Sequence, residues 1–176
     1  MKTEAIDEYR ALRDTIRVRG TARVWIVLVG LALWAALAVV TFALAPFPAA
    51  TILPLLVLAA GFEVVFSLHT TVERIGRYIQ VFHEAEPGWE HVAMAYGQRF
   101  AGGGVDPLFA NFYRTATVLN FLPAAFSRPR PVEIALIGGI HALFIVRLEI
   151  ARRHAARQRA IDLDRFQQLK RETRPA

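Results

Sequence analysis

The chain has no cysteine and only two serines, Ser67 and Ser127. The first absence excludes a disulfide framework, a thiolate metal site and a thiol nucleophile. Neither serine lies in a G-x-S-x-G turn, so no activated serine stands out. Metal signatures are missing too: there is no HExxH, no paired ExxH and no HxxxH. Gly102-Gly103-Gly104 is not followed by Gly-Lys-Ser/Thr and reads as a hinge, not a phosphate loop.

Charge is scarce in one place above all. The run Val24 to Leu44 carries none, and Thr51 to Leu68 carries only Glu63. A helix needs roughly 20 mostly apolar residues to cross a bilayer core. Pro46-Phe47-Pro48 breaks the chain between the runs, so the pair reads as a transmembrane helical hairpin. Ala43-Leu44-Ala45 mimics a cleavage site. The run is nevertheless too long for a signal peptide and follows a mixed-charge segment, so it reads as a retained span.

Residues 1–23 read as an amphipathic, interfacial N-terminal helix, with Ile6, Tyr9, Leu12 and Ile16 near helical spacing. Residues 24–69 are the first hairpin. Nothing breaks the helix after Leu68. Val72, Ile75, Ile79 and Phe82 continue a stripe, which predicts one long helix to about Glu84, with Glu73 and Arg77 pairing on its polar face. Residues 70–106 are then a cytoplasmic helix and loop. Pro87-Gly88 reads as a turn, Trp89 to Phe100 as a short helix with Val92 and Tyr96 on one side, and Asp106 as an N-cap with Pro107 at the first helical position. Residues 107–148 are a second membrane hairpin, turning at Ser127 to Pro131, and 149–176 a basic C-terminal helix reaching about Arg171. Whether 108–126 crosses the bilayer is the hardest assignment, because Asn111, Arg114 and Asn120 interrupt it.

The net charge of +6 admits nucleic acid, anionic lipid or acidic partners. The basic residues are mixed with acids and do not interleave with aromatics, which argues against nucleic acid. Basic tails at both ends and a basic middle segment fit four spans with both termini cytoplasmic, by the positive-inside rule. The fold expected is therefore an all-α integral membrane bundle of four transmembrane helices in two hairpins, in a plasma (inner) membrane. Arg17, Arg19, Arg23, Arg152 and Arg153 are the expected membrane-surface cations, suited to anionic lipid.

Charged groups inside spans are functional candidates by default. Counting 1.5 Å per residue from Ala50 puts Glu63 roughly 20 Å down. The same count from Pro107 puts Arg114 roughly 10 Å in from the other face. In a core of about 30 Å these depths coincide, so Glu63 and Arg114 are expected to pair with each other or with a partner chain. His141 and Asn120 are the other polar groups of the second hairpin, suited to a ligand or to helix packing. His83, Glu84, Glu86, Glu90 and His91 are dense enough to consider for a cation, but their spacing matches no metal site; no cofactor is expected, and the sequence leaves a bound lipid or pigment open. Gly30, Ala60, Gly61, Gly138 and Gly139 permit close helix approach.

These observations lead to a non-catalytic accessory or scaffold subunit of a larger membrane complex, with other membrane subunits as partners. A small oligomeric transporter or channel using Glu63 and Arg114 is the alternative. A membrane enzyme acting on a lipid headgroup is the third reading.

Overall fold

The computed structural model describes residues 3–45, 47–84, 88–100 and 106–173, with Gln98 through its backbone alone. They form five helices: α1 Thr3–Leu44, α2 Ile52–Phe82, α3 Trp89–Arg99, α4 Ala110–Phe126 and α5 Pro131–Glu172. A 3-10 turn, Pro48–Thr51, leads into α2. Among the described residues there is no strand. Three helices are long and apolar enough to cross a membrane: Thr3–Leu44, Pro48–Phe82 and Pro131–Glu172. The protein is thus all-helical and of membrane type. Pro46, Glu86, Pro87 and the Gly102–Gly104 hinge lie outside the described residues.

No break separates the amphipathic N-terminal stretch from the first apolar run, since both belong to α1. The unbroken course of α2 to Phe82 and of α5 to Glu172 follows from the missing breakers after Leu68 and Val146. The start of α4 differs from expectation. Its first helical residue is Ala110, not Pro107. The Asp106 carboxylate still serves the helix start, accepting from the N–H of Leu108 at 3.1 Å and of Ala110 at 2.9 Å. The shift comes from Phe109, which sits in the left-handed region at φ 52° and so interrupts helical geometry just before α4.

The chain divides into two compact units. An apolar unit comprises residues 23–66 and 106–152, and a charged unit comprises 1–22, 67–105 and 153–176. In the apolar unit the buried positions alternate by three and four. On α2 they are Leu55, Leu58, Phe62 and Val65; on α4, Ala110, Tyr113, Thr117, Asn120 and Ala124; on α5, Ile137, His141, Phe144, Leu148 and Ala151. Such a seven-residue repeat is the pattern of helices packed at small, left-handed crossing angles. Phe62 is at the centre, edge-on to the Tyr113 ring at 5.4 Å and the Phe144 ring at 6.1 Å. Only 6% of the apolar window of α1 is buried, against 33% for α2 and 28% for α5, so α1 is the peripheral helix of this unit. The unit hides Thr117, Asn120 and His141 and exposes Val29, Leu33, Phe112, Leu119 and Leu143. Polar groups inside and apolar groups outside suit lipid as the surrounding solvent.

The charged unit has a small core of Ile79, Val81 and Ala155. The Tyr78 ring packs on those of Phe82, 4.8 Å away, and Phe166, 5.7 Å away. Helix ends are closed by side chains. The Lys170 ammonium donates to the carbonyl of Val81 in the last turn of α2. The Glu84 carboxylate accepts the N–H of Glu90 in the first turn of α3, at 2.8 Å.

Candidate functional site

Two groups of polar side chains are built into the fold, one in each unit. In the apolar unit, Asn120 is the hub. Its Nδ2 donates to the carbonyl of Thr51 at 2.8 Å and lies 3.0 Å from His141 Nε2. Its Oδ1 accepts the indole N–H of Trp34 at 3.1 Å. His141 Nδ1 lies 2.8 Å from the carbonyl of Ile137. The amide has only one workable orientation. Flipped, its nitrogen would face the Trp34 N–H and its oxygen the Thr51 carbonyl, two repulsive contacts at once. With Nδ2 toward the imidazole, His141 Nε2 must accept, so the ring proton sits on Nδ1 and points at Ile137. Both ring nitrogens are therefore engaged within the bundle. Asn120 and His141, expected as a ligand site or packing pair, are brought together. Trp34 and Thr51 complete the group.

The charges expected inside the membrane are arranged differently from the expectation. Glu63 and Arg114 do not pair with each other. Arg147 donates to Glu63 at 2.8 Å, and Arg114 donates to Glu149. The reason lies on α5. Its buried seam passes through Leu148, so residues 147 and 149 project about 100° to either side of it. Arg147 thereby reaches α2 and Glu149 reaches α4, and each neutralises the charge its neighbour brings. The Arg147 guanidinium also lies over the Phe66 ring at 5.0 Å. The depth estimate for Glu63 and Arg114 ignored the angle at which each leaves its helix, which turns both toward α5 although α2 and α4 touch through Phe62 and Tyr113.

In the charged unit, three arginines and three glutamates interlock. Arg13 donates to Glu90 at 2.6 Å and to Glu84 at 2.9 Å. Arg159 pairs with Glu73 at 2.8 Å. Arg77 is 6% exposed, with a terminal nitrogen 3.7 Å from Glu90 and 3.9 Å from Glu73. The expected Glu73–Arg77 pair is therefore present but loose, and Arg77 lies on a buried face of α2, not a solvated one. Arg77 donates to Gln80 at 2.9 Å and to the Met94 sulfur at 2.8 Å. A cavity of about 630 Å³ adjoins this network, walled by Glu73, Arg77, Glu90, Met94 and Arg159. Tyr78 donates to Glu8 at 2.9 Å. Burial and the neighbouring carboxylate push its phenol above the ordinary value, so it is a neutral donor at physiological pH.

Glu84 and Glu90, considered above for a cation, are thus held by Arg13, and His91 lies 3.7 Å from Glu84. Among the described residues no group of three or more His, Asp or Glu is placed to hold a metal ion. Of the basic surface residues, Arg17 is exposed and pairs with Asp14 at 2.7 Å, and Arg152 is exposed and 3.7 Å from Glu149. Arg153 is exposed, Arg19 is half-buried, and Arg23 lies over the Phe109 ring at 6.0 Å. Of the small residues, Gly30, Ala60 and Gly61 line an open apolar groove, and Gly138 faces the Phe121 ring.

Sequence reading missed Arg13, Trp34, Thr51, Arg147 and Glu149 as partners. The signal available was the seven-residue spacing of Trp34 with Val27 and of Leu148 with His141, which puts Trp34 and Leu148 on seams and so Arg147 and Glu149 beside one.

α3 completes the picture. It turns Glu90 inward and leaves Trp89, Val92, Tyr96 and Phe100 exposed. Those four positions fall within about 80° of helical arc. Val92 and Tyr96 do share a side, and it is the outer one.

No protein-family model, no curated protein and no solved structure matches this chain.

Proposed function

We propose that this protein is a non-catalytic accessory or scaffold subunit of a larger membrane complex, and that α3 is where a partner subunit docks. The observation that carries this reading is the apolar stripe of Trp89, Val92, Tyr96 and Phe100, three of them aromatic, exposed along α3 while Glu90 anchors another side of it to Arg13. Trp, Tyr and Phe are the residues that protein interfaces concentrate at their centres. Rigid anchoring presents such a stripe without further ordering cost. The rest of the polar chemistry supports the same conclusion. Asn120, His141, Arg114 and Glu63 are engaged by neighbouring helices, an arrangement that fixes helix positions. Glu63 and Arg114 line none of the cavities described here, and no observation favours a transport path through them.

We place both termini in the cytoplasm and count α4 as a fourth membrane helix. At 17 residues it is about 26 Å long, close to a bilayer core of about 30 Å. Its outer side is Phe112, Val118, Leu119 and Leu122, which suits lipid.

The test is purification of a tagged chain from native membranes in mild detergent, with mass spectrometry of what accompanies it. Stoichiometric partner proteins are expected with the wild type and lost from the Trp89→Ala/Tyr96→Ala double variant. A wild-type chain that emerges alone overturns the reading.

A further inference from the structure

A cavity of about 350 Å³ opens between the two chain reversals of the apolar unit, where α1 gives way to α2 and α4 to α5. That volume is within the range of small-molecule sites, about 300–1,000 Å³. Its walls include Ala38, Phe42, Pro54 and Phe126, its floor is Asn120, and Arg128 stands at its edge. The walls offer dispersion contact to an apolar chain. The floor offers little new hydrogen bonding, because both Asn120 donors and the indole contact are already in use. The lining hydroxyls are also directed elsewhere: Thr41 donates to Leu37 at 2.8 Å and Ser127 to Ala124 at 3.0 Å.

Arg128 is the exception. Its guanidinium has five N–H donors and no acceptor capacity, and among the described residues it makes no hydrogen bond or ion pair. Arg130, two residues on, is neutralised by Glu133 at 2.6 Å, so Arg128 is the uncompensated charge at this end. Its backbone is also held at φ 56°, in the left-handed region an arginine rarely adopts. Residues held in such conformations cluster at ligand clamps.

We propose that this cavity binds one anionic phospholipid, with an acyl chain against Phe42, Pro54 and Phe126 and the phosphate on Arg128. Charge complementarity selects the occupant. A cavity with apolar walls and a single unpaired guanidinium at its rim fits an amphiphile with an apolar tail and an anionic head. The location fits too, since the ends of membrane-crossing helices lie at headgroup level. A free anion would leave the apolar walls empty, and a neutral amphiphile would leave Arg128 unanswered.

The experiment uses the full chain, purified in detergent, stripped of lipid and re-exposed to phosphatidylglycerol or phosphatidylcholine of identical acyl chains, with retained lipid read by native mass spectrometry. The wild type is expected to retain one phosphatidylglycerol in preference to phosphatidylcholine. Arg128→Gln is expected to lower that preference by about tenfold, the worth of one charge-assisted contact. Arg128→Lys keeps part of it, and Arg130→Gln keeps all of it. Ala38→Phe, which fills the cavity, is expected to abolish retention of both lipids. Equal retention of the two lipids by the wild type, or an Arg128→Gln variant that keeps the preference, overturns the proposal. Should Ala38→Phe fail to fold, the comparison of Arg128→Gln with Arg128→Lys and Arg130→Gln decides the matter alone. The outcome is independent of whether α3 recruits a partner, because the lipid is scored on the isolated chain.

Discussion

Asn120 Nδ2 lies 3.0 Å from His141 Nε2 inside the apolar unit, and this contact, with the Ile137 carbonyl on Nδ1, selects the tautomer of the imidazole. Asn120→Ala removes it and strands the Trp34 N–H and the Thr51 carbonyl at once. Leaving a buried polar group unpaired costs about 1–3 kcal/mol. We expect Asn120→Ala to lower stability by that order in detergent unfolding, and His141→Leu to do likewise. The double variant is expected to lose less than the sum, because the two residues share one contact. Strict additivity would show that the contact contributes nothing.

Glu90→Gln keeps the shape of α3 but removes the carboxylate that Arg13 and Arg77 share. Breaking a buried pair on one side costs about 3–5 kcal/mol when the remaining charge stays buried. Arg13 is part-exposed, so the low end, about 3 kcal/mol, is expected here. Hydrogen exchange locates the effect: amides of residues 89–99 should exchange faster, while those of 110–126, in the other unit, should not change.

Glycines on either side of the α2–α3 contact separate space from flexibility. A Cβ at Gly76 would lie 3.0 Å from Glu90 Oε2, whereas one at Gly97 would meet nothing within 4 Å. Gly97→Ala should stabilise by about 0.5–1 kcal/mol, the ordinary gain in a helix interior. Gly76→Ala should destabilise by about 1 kcal/mol or more as the carboxylate is displaced. Thermal unfolding of the two single variants gives the sign directly.

Glu63→Arg places two guanidiniums where Arg147 now meets a carboxylate at 2.8 Å. Folded yield should fall sharply. Adding Arg147→Glu restores an opposite pair, and yield should return, with stability within about 1 kcal/mol of wild type. Adding Arg114→Glu instead should not rescue, because Arg114 pairs with Glu149.

The absence of cysteine makes topology directly measurable. A single cysteine at Ser127 should react with a membrane-impermeant thiol reagent from the non-cytoplasmic side, and one at Gln167 only from the cytoplasmic side. Labelling of residue 127 from the cytoplasm would mean that α4 does not cross.

The sequence by itself determined the helical class, the long apolar helices that hold Val24–Leu44 and Thr51–Leu68, and the uninterrupted courses of α2 and α5. These follow from local facts: hydrophobic run length, the places where proline and glycine occur, and the places where they do not. It also singled out Asn120, His141, Glu63 and Arg114, because polar groups in apolar runs are costly wherever they point. What it left open was which partner each would find. Glu63 and Arg114 were matched by depth, a one-dimensional coordinate. The tertiary structure packs α5 against both of their helices, with Arg147 and Glu149 on the two flanks of its seam. Pairing in a bundle depends on the angle around each helix and on the order of the helices. The packing of Leu148 and Phe144 against neighbours far away in the chain decides both.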